Sequence, residues 1–481
     1  MSSKSAFQTA TGDSLPADIS CRWPLFVLLS GAVFWLLAGS ILTLIGTIKF
    51  HAPDFLAEPA WLTYGRVRPA GLNAMIYGFC LPSALGLTLW LLARLGRTTL
   101  AGAIPVVFGG LLWHLGVGAG VVGVLSGDAT GFEHLEFPSY AVAMIAASYL
   151  VLGVAGVLTF RQRAERGLFV TQWFLLAAIF WFPWIYSTAT ILTSVYPVRG
   201  MAQAVVGWWF SANLILVWFG LVGLGIVFYL LPRLLDRELE SHYLAMFVFW
   251  MLILFGTWTG IPKTAPVPAW IPMMSKVTTV LAGLALLGAA LILHRTLGAD
   301  YRLLSTDPSL MFAGFAVASF VIAGFMGIAE VLSGASSMLH LSWYATARSW
   351  LQLYGFFAMA LFAGIYYVWP QLTGRPFPLP RLVRLHFWLA ASGVMLAVIP
   401  LAVGGIVQDG NHANPEMAFV DVAKGTLTFL RISSIGDVLT LAGHFLLALN
   451  VLLAIGAFCW DRVRIALRTA TIELQEQGVN S

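Results

Sequence analysis

Charge is what this chain has least of. Only 10% of its 481 residues are Asp, Glu, Lys or Arg, against about 25% in a soluble domain, so a water-facing surface of ordinary composition cannot be assembled from it. Cysteine is scarce as well: Cys80 and Cys459 fall inside apolar runs and Cys21 lies just before the first of them, which excludes a disulfide framework. Histidine is absent from long stretches, with none between Glu136 and His242, between His242 and His294, or between His340 and His386. Sustained heptads, low-complexity linkers and a second domain are missing too. What remains is apolar: 59% of the residues are hydrophobic, and the tryptophans, 19 in all, suit the aromatic belts of a membrane protein.

Runs long enough to cross ~30 Å of hydrocarbon occur at 24–48, 71–93, 100–125, 138–160, 168–192, 204–231, 243–258, 269–293, 310–332, 343–368, 382–406 and 432–460. The pattern predicts an all-α membrane protein of twelve transmembrane helices, with residues 1–23 and 461–481 as N- and C-terminal tails. The first run is too long, and lacks the small-residue cleavage site, for a removed signal peptide. Residues 407–430, with Asp409, Gly410 and Asn411, read as a turn-rich solvated loop.

Basic residues resist translocation, so their distribution among the loops sets orientation. Lys4 and Arg22 precede the first run, and alternate loops then carry Arg94 and Arg97, Arg161, Arg163 and Arg166, Arg233 and Arg237, Arg295 and Arg302, then Arg375, Arg381 and Arg384. Arg462, Arg464 and Arg468 follow the last run. Both termini are therefore expected in the cytoplasm of a bacterial cell, with the inner membrane as the partner phase. The pI of about 9.1 has this origin, and no nucleic-acid partner is read from it.

Four segments carry a resemblance. Residues 66–73 read Arg-Val-Arg-Pro-Ala-Gly-Leu-Asn, residues 208–213 read Trp-Trp-Phe-Ser-Ala-Asn, residues 365–370 read Ile-Tyr-Tyr-Val-Trp-Pro and residues 386–390 read His-Phe-Trp-Leu-Ala, with Gly393 following. In this order they resemble the haem-copper oxidase subunit I superfamily, and most closely the catalytic subunit of cbb-type cytochrome c oxidases. The resemblance implies a twelve-helix bundle holding haem b and copper through histidines on the second, sixth, seventh and tenth helices, because imidazole suits both metals.

At the positions that the resemblance assigns to those ligands, this sequence has other residues. The second-helix position is Gly71 and the sixth-helix position Ala212; the paired seventh-helix positions, read back from Pro268 and Trp270, are Gly260 and Ile261; the tenth-helix positions, read back from Tyr366 and Tyr367, are Arg348 and Trp350. The tyrosine that the family couples to a copper ligand falls at Leu254, and its ninth-helix glutamate at Met326, one turn from Glu330. Guanidinium stays charged and is no routine iron ligand. No haem or copper is therefore expected.

Charges inside apolar runs are costly and mark interior or wet positions. Lys276, Glu330, Arg348 and Asp437 are such charges, and Arg348 is expected to pair with Glu330 first or Asp437 second, inside the former haem cavity. Arg66, Arg68 and Arg431 match family arginines near the haem propionates, and are read as relics or as anchors at the membrane edge. His114 and His444 read as interhelical hydrogen-bonders, with a rebuilt ligand role as the alternative; His242, His294, His340 and His386 read as anchors near helix ends, and His51, His134 and His412 as loop residues.

Three functions stay open: a non-catalytic paralogue serving as a membrane scaffold beside other respiratory or cytochrome subunits; a terminal cytochrome c oxidase or nitric oxide reductase with unfamiliar ligands; and a transporter or sensor using the emptied cavity.

Overall fold

The structure, a computed structural model, describes residues 15–334 and 337–479; residues 1–14 of the expected N-terminal tail and the last two of the C-terminal one lie outside the described residues. The described residues form helices and connections without a strand. In chain order the helices are α1 (Pro16–His51), α2 (Tyr64–Leu95), α3 (Ala103–Ser126), α4 (Ser139–Arg161), α5 (Val170–Val195) and α6 (Met201–Leu235). There follow α7 (His242–Gly256), α8 (Trp270–Leu297), α9 (Pro308–Leu332), α10 (Trp343–Thr373), α11 (Pro380–His412) and α12 (Phe419–Val479).

Eleven of these are long and apolar enough to span a membrane, and α7 is not. Its 15 residues reach only about 22 Å at 1.5 Å per residue. Three prolines, Pro262, Pro266 and Pro268, hold the chain out of helix until α8 starts at Trp270. The twelve expected spans are thus eleven spans and one short apolar helix in the seventh place.

The ends also differ from expectation. Pro16 opens α1 at a position where its missing N–H costs nothing, so residues 16–23 are helix rather than tail. Asp18 then reaches α2, accepting from Trp90 Nε1 at 2.8 Å and pairing with Arg94 Nη1 at 2.8 Å. The predicted loop at 407–430 is mostly helix: α11 runs to His412, Pro415 interrupts, and α12 begins at Phe419. No proline follows Pro415, and α12 continues unbroken for 61 residues, through the segment expected as a C-terminal tail.

Burial sorts the helices into two shells. The most apolar windows of α2, α10 and α6 are 100%, 94% and 83% buried, whereas the other spans range from 28% to 56%. These three inner helices carry most of the positions that the resemblance assigns to metal ligands. Around them α1 packs on α2 and α12, α11 packs along α12, and α9 packs on α10.

Candidate functional site

Each inner helix widens into a π segment beside a position that the resemblance assigns to a ligand: Ala74–Cys80 after Gly71, Asn213–Trp218 after Ala212, and Leu351–Ala358 after Trp350. Such segments are rare and tend to sit at functional sites. A fourth, Ile191–Val195, ends α5.

The sixth- and seventh-helix positions meet. Gly260 has φ +96°, and a Cβ placed there would fall 2.4 Å from Ala212 Cβ and 3.1 Å from the Trp208 carbonyl oxygen. Two side chains reaching inward from these positions have no space between them; the backbones fill it. Ile261 is held by its N–H donating to Ser275 Oγ at 3.0 Å. Leu254 is 50% exposed, so the residue at the family's tyrosine position faces away from the centre.

The second- and tenth-helix positions are separated by α1. A Cβ at Gly71 would lie 2.8 Å from Thr43 N and 3.0 Å from Thr43 Oγ1. Thr43 also lines a cavity of about 20 Å³ together with Ser40, Trp350, Tyr354, Asp437 and Thr440, a space about right for one water and far below a porphyrin. Asp437 does not pair with Arg348: the hydroxyl of Thr47 lies against its carboxyl, and its Oδ2 is buried without a hydrogen-bond partner.

Arg348 points the other way, to α9, where Nε donates to Glu330 Oε2 at 3.0 Å. The pair sits close to the end of α9, and the two side chains are 36% and 12% exposed, so it lies at an edge of the bundle rather than at mid-membrane depth. The Tyr344 hydroxyl donates to the Met326 carbonyl oxygen at 3.3 Å. Lys276 is half-buried in the second turn of α8.

The three propionate-type arginines do not converge. Arg66 Nη1 donates to the Leu125 carbonyl oxygen at 3.3 Å, Arg68 lies over the rings of Phe50 and Tyr64 at 5.8 and 5.9 Å, and Arg431 is exposed on α12.

Three histidine expectations need correction: His51 and His412 close α1 and α11 rather than lying in loops, and His386 is the third. His386 is no interfacial anchor: it is fully buried, and its Nδ1 is 2.8 Å from the Tyr366 hydroxyl. The His114 ring lies between helices as expected, against the Val27 and Leu28 backbone of α1, and covers the Cα of Gly31. His444 does bond between helices, its Nδ1 lying 2.8 Å from Ser40 Oγ. His51 Nε2 lies 3.0 Å from Ser434 Oγ.

A polar cluster escaped the sequence reading. In the connection after α3, His134 (φ +65°) is buried with Nδ1 2.8 Å from Ser211 Oγ, and its carbonyl oxygen accepts from the Tyr77 hydroxyl at 2.6 Å. Glu136 accepts from Asn73 Nδ2 at 2.8 Å, and burial pushes its carboxyl up to about 7; burial also lowers His134. The only sequence signal was the pair of charged positions inside Phe-Glu-His-Leu-Glu-Phe at 132–137.

The profile described as Cytochrome C and Quinol oxidase polypeptide I matches residues 25–439. The chain belongs to that family. Among similar proteins, the cytochrome c oxidase subunit 1 homolog of Azorhizobium caulinodans is 25% identical over 442 residues, covering 88% of this chain and 80% of that one. The cytochrome c oxidase subunit 1 of Rhodobacter capsulatus is 24% identical, covering 87% and 82%. The Cbb3-type cytochrome c oxidase subunit CcoN1 of Stutzerimonas stutzeri is 23% identical, covering 87% and 91%. The recognition made from the four motifs thus holds: the chain is a multi-pass membrane protein of the haem-copper oxidase subunit I superfamily.

The family implies haem and copper, and the residues at the motif positions do not fit either. Gly71, Ala212, Gly260 and Ile261 offer no donor atom, Trp350 carries an indole N–H that only donates, and Arg348 is a cation in an ion pair. Among the described residues no three His, Cys, Asp or Glu side chains group as they would around a metal ion.

Proposed function

We propose that this chain is a non-catalytic paralogue of cytochrome c oxidase subunit I, a membrane scaffold subunit of a respiratory or cytochrome complex that takes neither haem nor copper. The observation that carries this reading is the closed packing at two former ligand positions: Gly260 against Ala212, and Gly71 against Thr43. Restoring histidines there would require helices to move apart, not only side chains to change.

Retention of the bundle supports a structural role. An inner trio of helices, an outer shell and exposed apolar residues such as Trp388, Leu452 and Trp460 provide a framework with surface for lipid and for neighbouring subunits. In this reading the chain lies in a bacterial inner membrane with both termini cytoplasmic, which the arginine-bearing loops support and which has α7, with the connection to Trp270, carry the chain across as a twelfth passage. Reporter fusions after Arg97 and after Asn414 should report cytoplasm and periplasm; one compartment for both would overturn the orientation.

The cofactor test is a visible absorption spectrum with elemental analysis of the purified chain. No Soret band and no stoichiometric iron or copper are expected. Haem that persists after His114→Ala with His444→Ala would revive the oxidase or nitric oxide reductase alternative, with ligands outside the family pattern.

A further inference from the structure

We propose that the cavity beside Asp437 is a binding site for one monovalent metal cation of about the size of sodium, held between α1, α10 and α12. This goes beyond the scaffold reading and does not depend on it.

The cavity lies where helical regularity breaks. Tyr354 belongs to the π segment Leu351–Ala358, and irregular backbone at membrane depth is tolerated where it lines a cavity or meets an ion. Ser40 and Thr43 approach from α1, Tyr354 from α10, Asp437 and Thr440 from α12. These five bear oxygen, while Trp350 and, from α11, Val394, Ala397 and Val398 close the rest of the wall with apolar surface; hard cations select carboxylate, hydroxyl and carbonyl oxygen. Thr440 spends its hydroxyl hydrogen on the Gly436 carbonyl at 3.0 Å, which leaves its oxygen lone pairs as acceptors, while Ser40 Oγ is shared between the Leu36 carbonyl at 2.7 Å and His444 Nδ1 at 2.8 Å.

The carboxylate supplies the second argument. Asp437 Oδ2 is buried without a partner, and among the described residues no Lys, Arg or His forms an ion pair with it. An isolated charge at such depth is expensive, and an unmet acceptor adds its own cost. A monovalent cation cancels the charge, satisfies Oδ2 and fits a volume of about 20 Å³. A proton would cancel the charge equally well, and dependence on sodium at fixed pH separates the two. A divalent ion would leave net charge behind.

Thermal unfolding of the full chain in detergent tests the proposal, with sodium, potassium or choline chloride at one ionic strength and one pH. Binding to the folded state raises the midpoint with the logarithm of ion concentration, by roughly 2 °C per tenfold above saturation. Sodium is expected to act more strongly than potassium, and choline not at all. Asp437→Asn should abolish the sodium response, and Thr440→Val, which keeps the carboxyl, should move its midpoint to at least tenfold higher sodium. Equal behaviour in sodium and choline, a sodium response that survives Asp437→Asn, or a midpoint that follows pH while ignoring sodium would each overturn it.

Discussion

Gly260→Ala adds one methyl group where the chain comes closest to Ala212, and its cost can be worked from the geometry. The new Cβ would stand 2.4 Å from Ala212 Cβ, on a residue with φ +96°. The backbone conformation alone costs an L-residue about 1 to 2 kcal/mol. Relieving the overlap requires a backbone shift of the kind that overpacked cores show, about 1 to 3 kcal/mol more. The single variant should therefore lose roughly 2 to 5 kcal/mol. Ala212→Gly alone weakens a helix by about 1 kcal/mol. Combined, the two changes remove the overlap and leave only the backbone strain and the helix penalty, so the double variant should be less destabilised than the sum by roughly 1 to 3 kcal/mol. Unfolding curves of the four proteins in one detergent give the comparison. Strict additivity would mean that positions 212 and 260 are not in contact, and the argument that packing has closed this region would fall with it.

The ion pair between Arg348 and Glu330 should be weaker than its place in a membrane helix implies. With side chains 36% and 12% exposed, it is worth about 1 kcal/mol after screening, not the 3 to 5 of a fully buried pair. Glu330→Gln should lower stability by about that much, and adding Arg348→Met should cost little more; two full, additive losses would show the pair uncoupled. Glu136→Gln should change a pH profile. Burial holds the folded carboxyl up at about 7, above an unfolded value near ~4.3, so the stability it contributes is full below the unfolded value and is lost as pH rises through about 7. The variant should lack that decline between these limits, and an unchanged profile in unfolding curves would show Glu136 to be ionised throughout.

Most of the fold was legible because burial in lipid demands long apolar runs, and a run such as 100–125 can hardly be anything else. The errors came where local chemistry decides. Residues 407–430 look like turn formers, yet Gly410 and Asn411 are absorbed into the last turn of α11, and only Pro415 forces a break. Apolar character at 243–258 gave a span, but the run is itself short, and α7 has only 15 residues, His242–Gly256. At the site, motif spacing brought out 212 and 260, which the structure places in contact. It also gave Glu330 as the first choice for Arg348. Hidden from it were His134 and Glu136, because a loop gives no periodicity from which burial can be read. His386 was misread because position near a helix end says little when two neighbouring elements, here Phe362 and Tyr366 of α10 and Phe312 of α9, cover the ring.

The π segments have a consequence for how such a chain can change. Each carries a wider turn than the helix around it, so removing one residue would let the helix run straight and swing everything beyond by about 100°. In α10 the segment Leu351–Ala358 stands between Trp350, at the cavity, and Tyr366, which meets His386. Tightening that turn while Trp350 stayed in place would carry Tyr366 off its histidine. The widened turn thus ties the two ends of α10 together, so that its length is fixed by packing at both ends and not only by what lies beside it.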